Sequence, residues 1–294
     1  MLKRIITAIC ILAVVFGFLF GLRQVSTIFV AALLGIISII STYELTKTFK
    51  KAEYNCMTLL PILISVIGVV SVYFFGYMGL LLTMVVGSLV CLAVFTFDHK
   101  YELKDVFASI IAFIYPLPLS LLLYLNGFEI NGLNIGLYAI LLTIFVPILT
   151  DTMAYFVGVS LGRFTPKLCP EISPKKTVAG AIGGVIGGMM ATMLIFLLFD
   201  YGQVFSSLKN VDVFTLTNTT WKSIVIYLVL GLVSAPICEI GDLVASWIKR
   251  KAGIKDYGNI FPGHGGMMDR MDSIIFMIPI TCIFLEIMKA VLEG

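Results

Sequence analysis

Long apolar runs constrain the fold of this chain more than any other feature. A helix of about 20 apolar residues crosses the hydrocarbon core of a bilayer, and nine stretches of about that length are nearly free of charge. The chain is 60% hydrophobic and 13% charged, whereas a soluble domain is typically about 25% charged. We therefore predict an all-α polytopic membrane protein with about nine transmembrane helices. The predicted spans are 5–22, 26–43, 57–75, 78–97, 106–125, 134–158, 178–200, 223–247 and 273–291.

The basic residues predict the orientation of these spans. With the N-terminus in the cytoplasm, sixteen of the 20 Lys and Arg residues fall on the cytoplasmic side, as the positive-inside rule requires. This count predicts a cytoplasmic N-terminus and an outside C-terminus. The first apolar run follows Lys3 and Arg4 and has no small-residue cleavage site after it, so we interpret it as a retained helix rather than a signal peptide.

Polar residues are distributed unevenly along the chain. We predict a single integral membrane domain over 1–294, with N-terminal helices in 1–100 and catalytic helices and cytoplasmic loops in 101–294. The net charge of +3 is small and no long basic run is present, so no nucleic-acid partner is expected. The six cysteines are scattered and form no CxxC pair, which argues against a zinc site or a disulfide framework.

Two polar groups stand at predicted helix ends on the cytoplasmic side. Asp151 lies within the sixth span or near its end, where a carboxylate is costly and usually faces a cavity or a partner. Ser173 followed by Pro174 is typical of a helix start, which would put Lys175 and Lys176 in the first turn. Their charge opposes the helix dipole there, so we interpret them as binding a phosphate chain; the alternative is a lysine pair that serves topology alone.

Glycines follow this stretch at a spacing that suits helix packing. They occur at 180, 183, 184, 187 and 188 inside an apolar span. We interpret these glycines, and Gly158 and Gly162, as a small-residue packing face rather than a nucleotide loop.

The most polar segment of the chain is 246–272, SWIKRKAGIKDYGNIFPGHGGMMDRMD, between two apolar spans. On a helix, Asp242, Ser246 and Lys249 share one face, and Asp269 and Asp272 share another. Carboxylates beside phosphate-binding cations suit Mg²⁺, which is held by one or two carboxylates and substrate phosphates. The alternative is a solvated loop network in which Asp256, Asp269 and Asp272 pair with Lys255 and Arg270. It explains single residues better than it explains their density.

The segment resembles the signature of the phosphatidate cytidylyltransferases (CDP-diacylglycerol synthases). The matching residues are Ser246, Lys249, Arg250, Lys255, Asp256, Pro262, His264, Gly265, Gly266, Asp269, Arg270 and Asp272. Gly241-Asp242-Leu243 and Ser173-Pro174-Lys175-Lys176-Thr177 are also similar to that family, and the resemblance covers most of 100–294. One departure is Ala179, where the family often has Glu or Gln; that group is then absent or supplied by Glu171 or Glu239.

The resemblance implies transfer of CMP from CTP to phosphatidate, giving CDP-diacylglycerol and diphosphate. It also implies Mg²⁺, with a second cation left open, a cytoplasm-facing cavity in a bacterial cytoplasmic membrane, and a homodimer. The implied metal ligands are Asp242 and Asp269, supported by Asp256 and Asp272. The cations expected to bind the phosphates of CTP or lipid are Lys175, Lys176, Lys249, Arg250, Lys255 and Arg270.

Further site residues are expected to contact substrate. Asp151, Ser173, Thr177 and Ser246 are placed in the substrate-binding region. His264 is placed in the catalytic loop as a structural residue or hydrogen-bond donor, because phosphatidate is already anionic and needs no strong base.

Two other functions stay open at this point. One is the same chemistry on another membrane lipid phosphate, such as a dolichol-type acceptor. The other is a transporter of a phosphorylated solute, which is disfavoured because the sequence has no duplicated halves or matching interrupted helices.

Overall fold

The computed structural model describes residue 17 and residues 26–98, 100–202, 220–261 and 265–293. Seven helices in this part of the chain are long and apolar enough to cross a membrane. They are Thr27–Lys51, Leu59–Phe97, Leu103–Asn126, Gly136–Phe164, Val178–Tyr201, Thr220–Lys251 and Met268–Glu293. The prediction of an all-α polytopic membrane protein is therefore confirmed. Apart from Gly17, the first predicted span, 5–22, lies outside the described residues, so the total of nine and the orientation of the termini stay predictions.

The chain forms two compact units. The first consists of the described residues up to Tyr124 together with Ile248–Met271, and the second consists of Leu125–Trp247 with the described residues from Asp272 onward. The described residues of 1–100, predicted as N-terminal helices, all belong to the first unit, and 101–294 contributes to both.

The first unit begins with α1 (Thr27–Lys51) and α2 (Leu59–Phe97). A straight helix of 39 residues would be about 58 Å long, nearly twice the hydrocarbon thickness of about 30 Å. Instead α2 breaks at Gly76, whose φ of 56° is favourable for glycine alone. The break falls between the spans predicted at 57–75 and 78–97.

The two arms of α2 fold back on each other. A methyl group at Gly79 would overlap the carbonyl oxygen of Ser71, and one at Gly87 would lie 2.7 Å from Cγ2 of Ile64. These contacts join one arm to the other in antiparallel order. The absence of a Cβ at these two glycines therefore permits a close helical hairpin.

The first unit continues with α3 (Leu103–Ile114), a 3₁₀ turn (Leu117–Ser120) and the start of α4 (Leu121–Asn126). Its core includes Ile64 and Cys91 from the α2 arms, Val106 and Phe113 from α3, and Leu117. Burial of these side chains fixes α3 against both arms.

The second unit carries most of the remaining helices. A hairpin of β1 (Glu129–Ile130) and β2 (Leu133–Asn134) leads into α5 (Gly136–Leu161) and a 3₁₀ turn (Gly162–Phe164). A second hairpin follows, formed by β3 (Lys167–Cys169) and β4 (Ser173–Thr177). The remaining elements are α6 (Val178–Ile195), a π-helical turn (Phe196–Tyr201), α7 (Thr220–Lys251), which belongs to this unit as far as Trp247, and α8 (Met268–Glu293), which belongs to it from Asp272.

Glycines form the interface between α5 and α6. A Cβ at Gly183 would lie 2.5 Å from Cβ of Val157, and one at Gly187 would overlap the carbonyl oxygen of Leu149. The predicted packing role of these glycines is confirmed. In lipid, where apolar burial does not drive helices together, such close approach provides the dispersion contacts that hold a helix pair.

Candidate functional site

A polar cavity of about 280 Å³ opens in the second unit. Its lining includes six residues predicted for the site: Asp151, Ser173, Lys175, Lys176, Thr177 and Asp242. The first comes from α5, the next four from β4, and the last from α7. Three elements that are distant in sequence therefore bring positive and negative side chains to one cavity. We call these six residues the cavity cluster.

An ion pair lies at the centre of the cavity cluster. Nζ of Lys176 is 2.9 Å from Oδ2 of Asp242, and the two side chains are 22% and 29% exposed. The same ammonium donates to the carbonyl oxygen of Glu239 at 3.5 Å. Both side chains are partly exposed at the cavity, so a charged ligand can compete for either partner.

The cavity also contains a buried carboxylate. Glu239 is 7% exposed, and its Oε1 has no hydrogen-bond partner among the described residues. A Cβ at Gly184 would overlap this oxygen, so the glycine provides the space for it. Of the two acids named as possible substitutes for the polar group missing at Ala179, Glu239 lines the cavity and Glu171 does not.

Residues 173–177 form a strand, which corrects the predicted helix start. β4 pairs antiparallel with β3, with Lys167 opposite Thr177. The helix α6 begins at Val178, and Oγ1 of Thr177 accepts a hydrogen bond from N of Gly180 at 3.1 Å. Ser173 is therefore not the helix cap.

The correction changes the interpretation of the two lysines. Lys175 and Lys176 do not occupy the first turn of α6, because they precede the helix in extended backbone. Pairing with β3 stabilises the extended form, and Pro174 is tolerated in a short edge strand. Successive side chains of a strand point to opposite faces, and Lys176 is the one that reaches Asp242.

A second set of polar contacts lies in the first unit, and we call it the loop cluster. Nζ of Lys249 is 2.7 Å from Oδ1 of Asp269 and 5.3 Å from the centre of the Tyr257 ring. Oδ2 of Asp269 accepts hydrogen bonds from N of Tyr257 at 2.8 Å and from N of Gly266 at 2.9 Å. Both oxygens of this buried carboxylate are therefore engaged.

The loop cluster corrects one detail of the alternative network. Asp269 pairs with Lys249 on α7 rather than with the loop residues Lys255 or Arg270, which are exposed. Gly265, with φ of 87°, lies so close to Asp269 that a Cβ there would be 2.7 Å from Oδ2. The glycines at 265 and 266 thus allow backbone to approach a carboxylate of the protein itself.

The remaining predicted site residues are divided between the two units. Arg250, Lys255, Asp256 and Arg270 are exposed in the first unit. In the second unit, Ser246 is half-buried and Asp272 is 9% exposed, with Oδ1 accepting from N of Ser273. Pro262 and His264 lie outside the described residues.

Sequence reasoning missed Glu44. This α1 residue is 3% exposed, and its carboxylate accepts hydrogen bonds from N of Met267 at 3.1 Å and N of Met268 at 2.9 Å. The available signal was a single acid directly after the predicted span 26–43, at a position where a buried charge requires a partner.

Carboxylates are the side chains here that could hold Mg²⁺. Within the described residues, no group of three or more His, Cys, Asp or Glu side chains is arranged to hold a metal ion. Asp242 lines the cavity with its Oδ1 outside the ion pair, so it fits a metal held mainly by phosphates. Asp269 fits one less readily, because an added cation would compete with Lys249 for Oδ1.

These features define a class of protein: an α-helical polytopic membrane protein with partly buried acid–base pairs. Comparison with known families identifies the family within this class. The family model described as "Cytidylyltransferase family" matches residues 2–288. The chain belongs to the cytidylyltransferase family.

Several curated bacterial proteins are similar to this chain. A Rickettsia bellii protein named phosphatidate cytidylyltransferase is 30% identical over 169 residues, 57% of this chain and 64% of the relative. A Rickettsia typhi protein of the same name is 31% identical over the same shares. A Synechocystis protein of that name is 43% identical over 65 residues, 22% of each chain. The match thus spans less than two-thirds of the length of these relatives.

Proposed function

We propose that this protein transfers the CMP group of CTP to phosphatidate, giving CDP-diacylglycerol and diphosphate. The observation that carries the proposal is membership of the cytidylyltransferase family, in a chain whose relatives are named phosphatidate cytidylyltransferase. The cavity and loop clusters support it, because each offers ammonium groups beside carboxylates in a membrane-spanning protein.

The reaction requires that the two substrates be aligned and that their negative charge be neutralised. An anionic phosphate oxygen of phosphatidate attacks the α-phosphorus of CTP, and the bond from that phosphorus to the bridging oxygen of the β-phosphate breaks, releasing diphosphate. Nucleotidyl transfer of this kind depends on electrostatic stabilisation and alignment. The nucleophile is already anionic, so the protein need not remove a proton from it.

The basic residues of both clusters would bind the phosphates. In the second unit, Lys176 exchanges Asp242 for a phosphate oxygen, and Lys175 adds a second charge at the same cavity. In the first unit, Lys249 is held by Asp269 and the Tyr257 ring in a fixed direction. Exposed Arg250, Lys255 and Arg270 would add charge around it.

Mg²⁺ is part of the proposal. Asp242 would hold the ion at the cavity cluster of the second unit. Asp269, the other acid that the family resemblance implies, would be available to a cation in the loop cluster of the first unit once Lys249 binds phosphate. When bound, the ion would neutralise phosphate charge on the reactants.

We also infer the orientation and assembly. The bias of basic residues supports a cytoplasmic active site in a bacterial cytoplasmic membrane, where CTP is available. The family resemblance supports a homodimer.

The test is a transfer assay on the purified protein in detergent. Labelled CTP, Mg²⁺ and phosphatidate should give labelled CDP-lipid on thin-layer chromatography, and chelation of Mg²⁺ should stop it. Asp242→Asn should lower turnover on the order of a thousandfold, whereas Glu129→Gln, which removes an exposed acid of the same unit, should not. Label that appears on a polyprenyl phosphate but not on phosphatidate would contradict the proposal.

A further inference from the structure

The buried charge of Glu44 has its partners in the loop cluster. The side chain is 3% exposed on α1, and a buried carboxylate is costly unless hydrogen bonds compensate it. The compensation comes from two backbone N–H groups, those of Met267 and Met268.

These N–H groups belong to Met268, the first residue of α8, and to Met267 immediately before it. The first N–H groups of a helix have no partner within the helix, and a negative charge there is favourable. Glu44 caps the helix in place of a residue near the helix start, and each of its two carboxylate oxygens accepts a hydrogen bond from one of these N–H groups. The next residue along α8 is Asp269, which holds Lys249. Glu44 thus fixes the helix one residue before the ion pair.

Glu44 also sets the shape of the loop that precedes α8. Cβ atoms at Gly258 and Gly266 would overlap its carboxylate oxygens, so the backbone on both sides of the loop packs directly against it. Gly266 is the residue common to both contacts: it packs against Glu44 and donates its N–H to Oδ2 of Asp269. Movement of the Glu44 carboxylate would therefore be transmitted to Asp269.

We propose that Glu44 is a positioning residue for the loop cluster: through Gly266 and the first N–H groups of α8, it holds Asp269 and Lys249 in the arrangement that binds substrate phosphate. It acts through backbone and touches no substrate. The inference of a phosphate-binding role rests on the proposed function, whereas the effect on loop conformation does not.

The test compares two matched buried carboxylates of the first unit. Glu44→Gln replaces one acceptor oxygen by an amide NH₂ that faces a backbone N–H. Asp105→Asn does the same at a site remote from the loop cluster in sequence and contacts: Asp105 is 2% exposed and accepts from N of Asn55 at 2.8 Å and N of Glu102 at 2.9 Å.

Hydrogen exchange and kinetics provide independent measurements. In Glu44→Gln, backbone exchange in peptides covering 257–268 should accelerate on the order of tenfold, and kcat/KM should fall by a similar factor, since a buried backbone donor loses its acceptor. In Asp105→Asn, thermal stability should fall while loop exchange and KM for CTP stay at the wild-type values.

Two outcomes would overturn the inference: loop exchange in Glu44→Gln equal to wild type, or equal acceleration in Asp105→Asn. If Glu44→Gln does not yield folded protein, Gly258→Ala displaces the same carboxylate from the loop side and should accelerate loop exchange. A wild-type protein without CTP-dependent transfer would refute the proposed function, and the exchange comparison would still decide the role of Glu44.

Discussion

Replacement of Lys176 by alanine tests whether this lysine binds phosphate or only stabilises the fold. Its ammonium makes the 2.9 Å pair with Asp242 at a cavity, and both partners are less than one-third exposed. The neighbouring strand β3 offers a matched control in Lys167, which is exposed, carries the same charge and does not line the cavity.

The two roles predict effects of different size. A partly exposed ion pair contributes roughly 0.2–1 kcal/mol to folding, which corresponds to a shift of Tm by about 2–4 °C at most. A hydrogen bond from an ammonium to a phosphate is worth about 1.5–3 kcal/mol, or roughly 10- to 150-fold in affinity. We therefore expect Lys176→Ala to lower kcat/KM by that factor with little change in Tm.

The assay is steady-state transfer in detergent, together with thermal unfolding with and without CTP–Mg²⁺. The stabilisation that the nucleotide gives the wild type by mass action should shrink in Lys176→Ala and persist in Lys167→Ala. Suppose instead that Lys176→Ala retains the kinetic constants of Lys167→Ala and loses more than about 8 °C in Tm. The pair with Asp242 would then be structural, and the phosphates would bind elsewhere.

Two further predictions concern topology and packing. A single cysteine at exposed Asn259, in a background without other cysteines, should react with an impermeant thiol reagent only when the cytoplasmic face is open; labelling of intact cells from outside would invert the proposed orientation. Gly79→Ala should destabilise the α2 hairpin by about 1–3 kcal/mol, seen as a lower Tm, because its methyl would overlap backbone. Gly35→Ala, with open space around the new methyl, should melt at or slightly above the wild-type Tm, since alanine has the higher helix propensity. Equal Tm values for both variants would contradict the hairpin contact.

Local patterns predicted the features that depend on local physics. The spans follow from apolar length, the break at Gly76 separates two runs each long enough to cross the bilayer, and the glycine spacing predicted the α5–α6 interface. Asp151 was predicted because charge inside a membrane protein usually faces a cavity or a partner, and the other five were predicted from their motifs and the family resemblance. The structure gathers these six residues at one cavity.

Features that depend on residues distant in sequence could not be predicted from such local patterns. Ser173-Pro174 is a sound helix start by itself, but pairing with β3 holds it in a strand. Glu44 is 224 residues from Met268, whose N–H group donates to it, so no local sequence pattern predicts that contact. The pairing of Asp269 with Lys249 rather than with its loop neighbours likewise requires the tertiary fold.

The glycine interface between α5 and α6 determines how the cavity responds to a change of lipid and to a mutation in its wall. Lipid tails are as apolar as the helices, so solvent-driven burial adds little to this pair, and surface complementarity keeps Gly183 against Val157. Exchange of one lipid species for another leaves that complementarity intact. A single added carbon at the interface does not, since it would separate α5, which carries Asp151, from β4 and α6. The cavity should therefore be robust to membrane composition and intolerant of a one-methyl mutation in its wall.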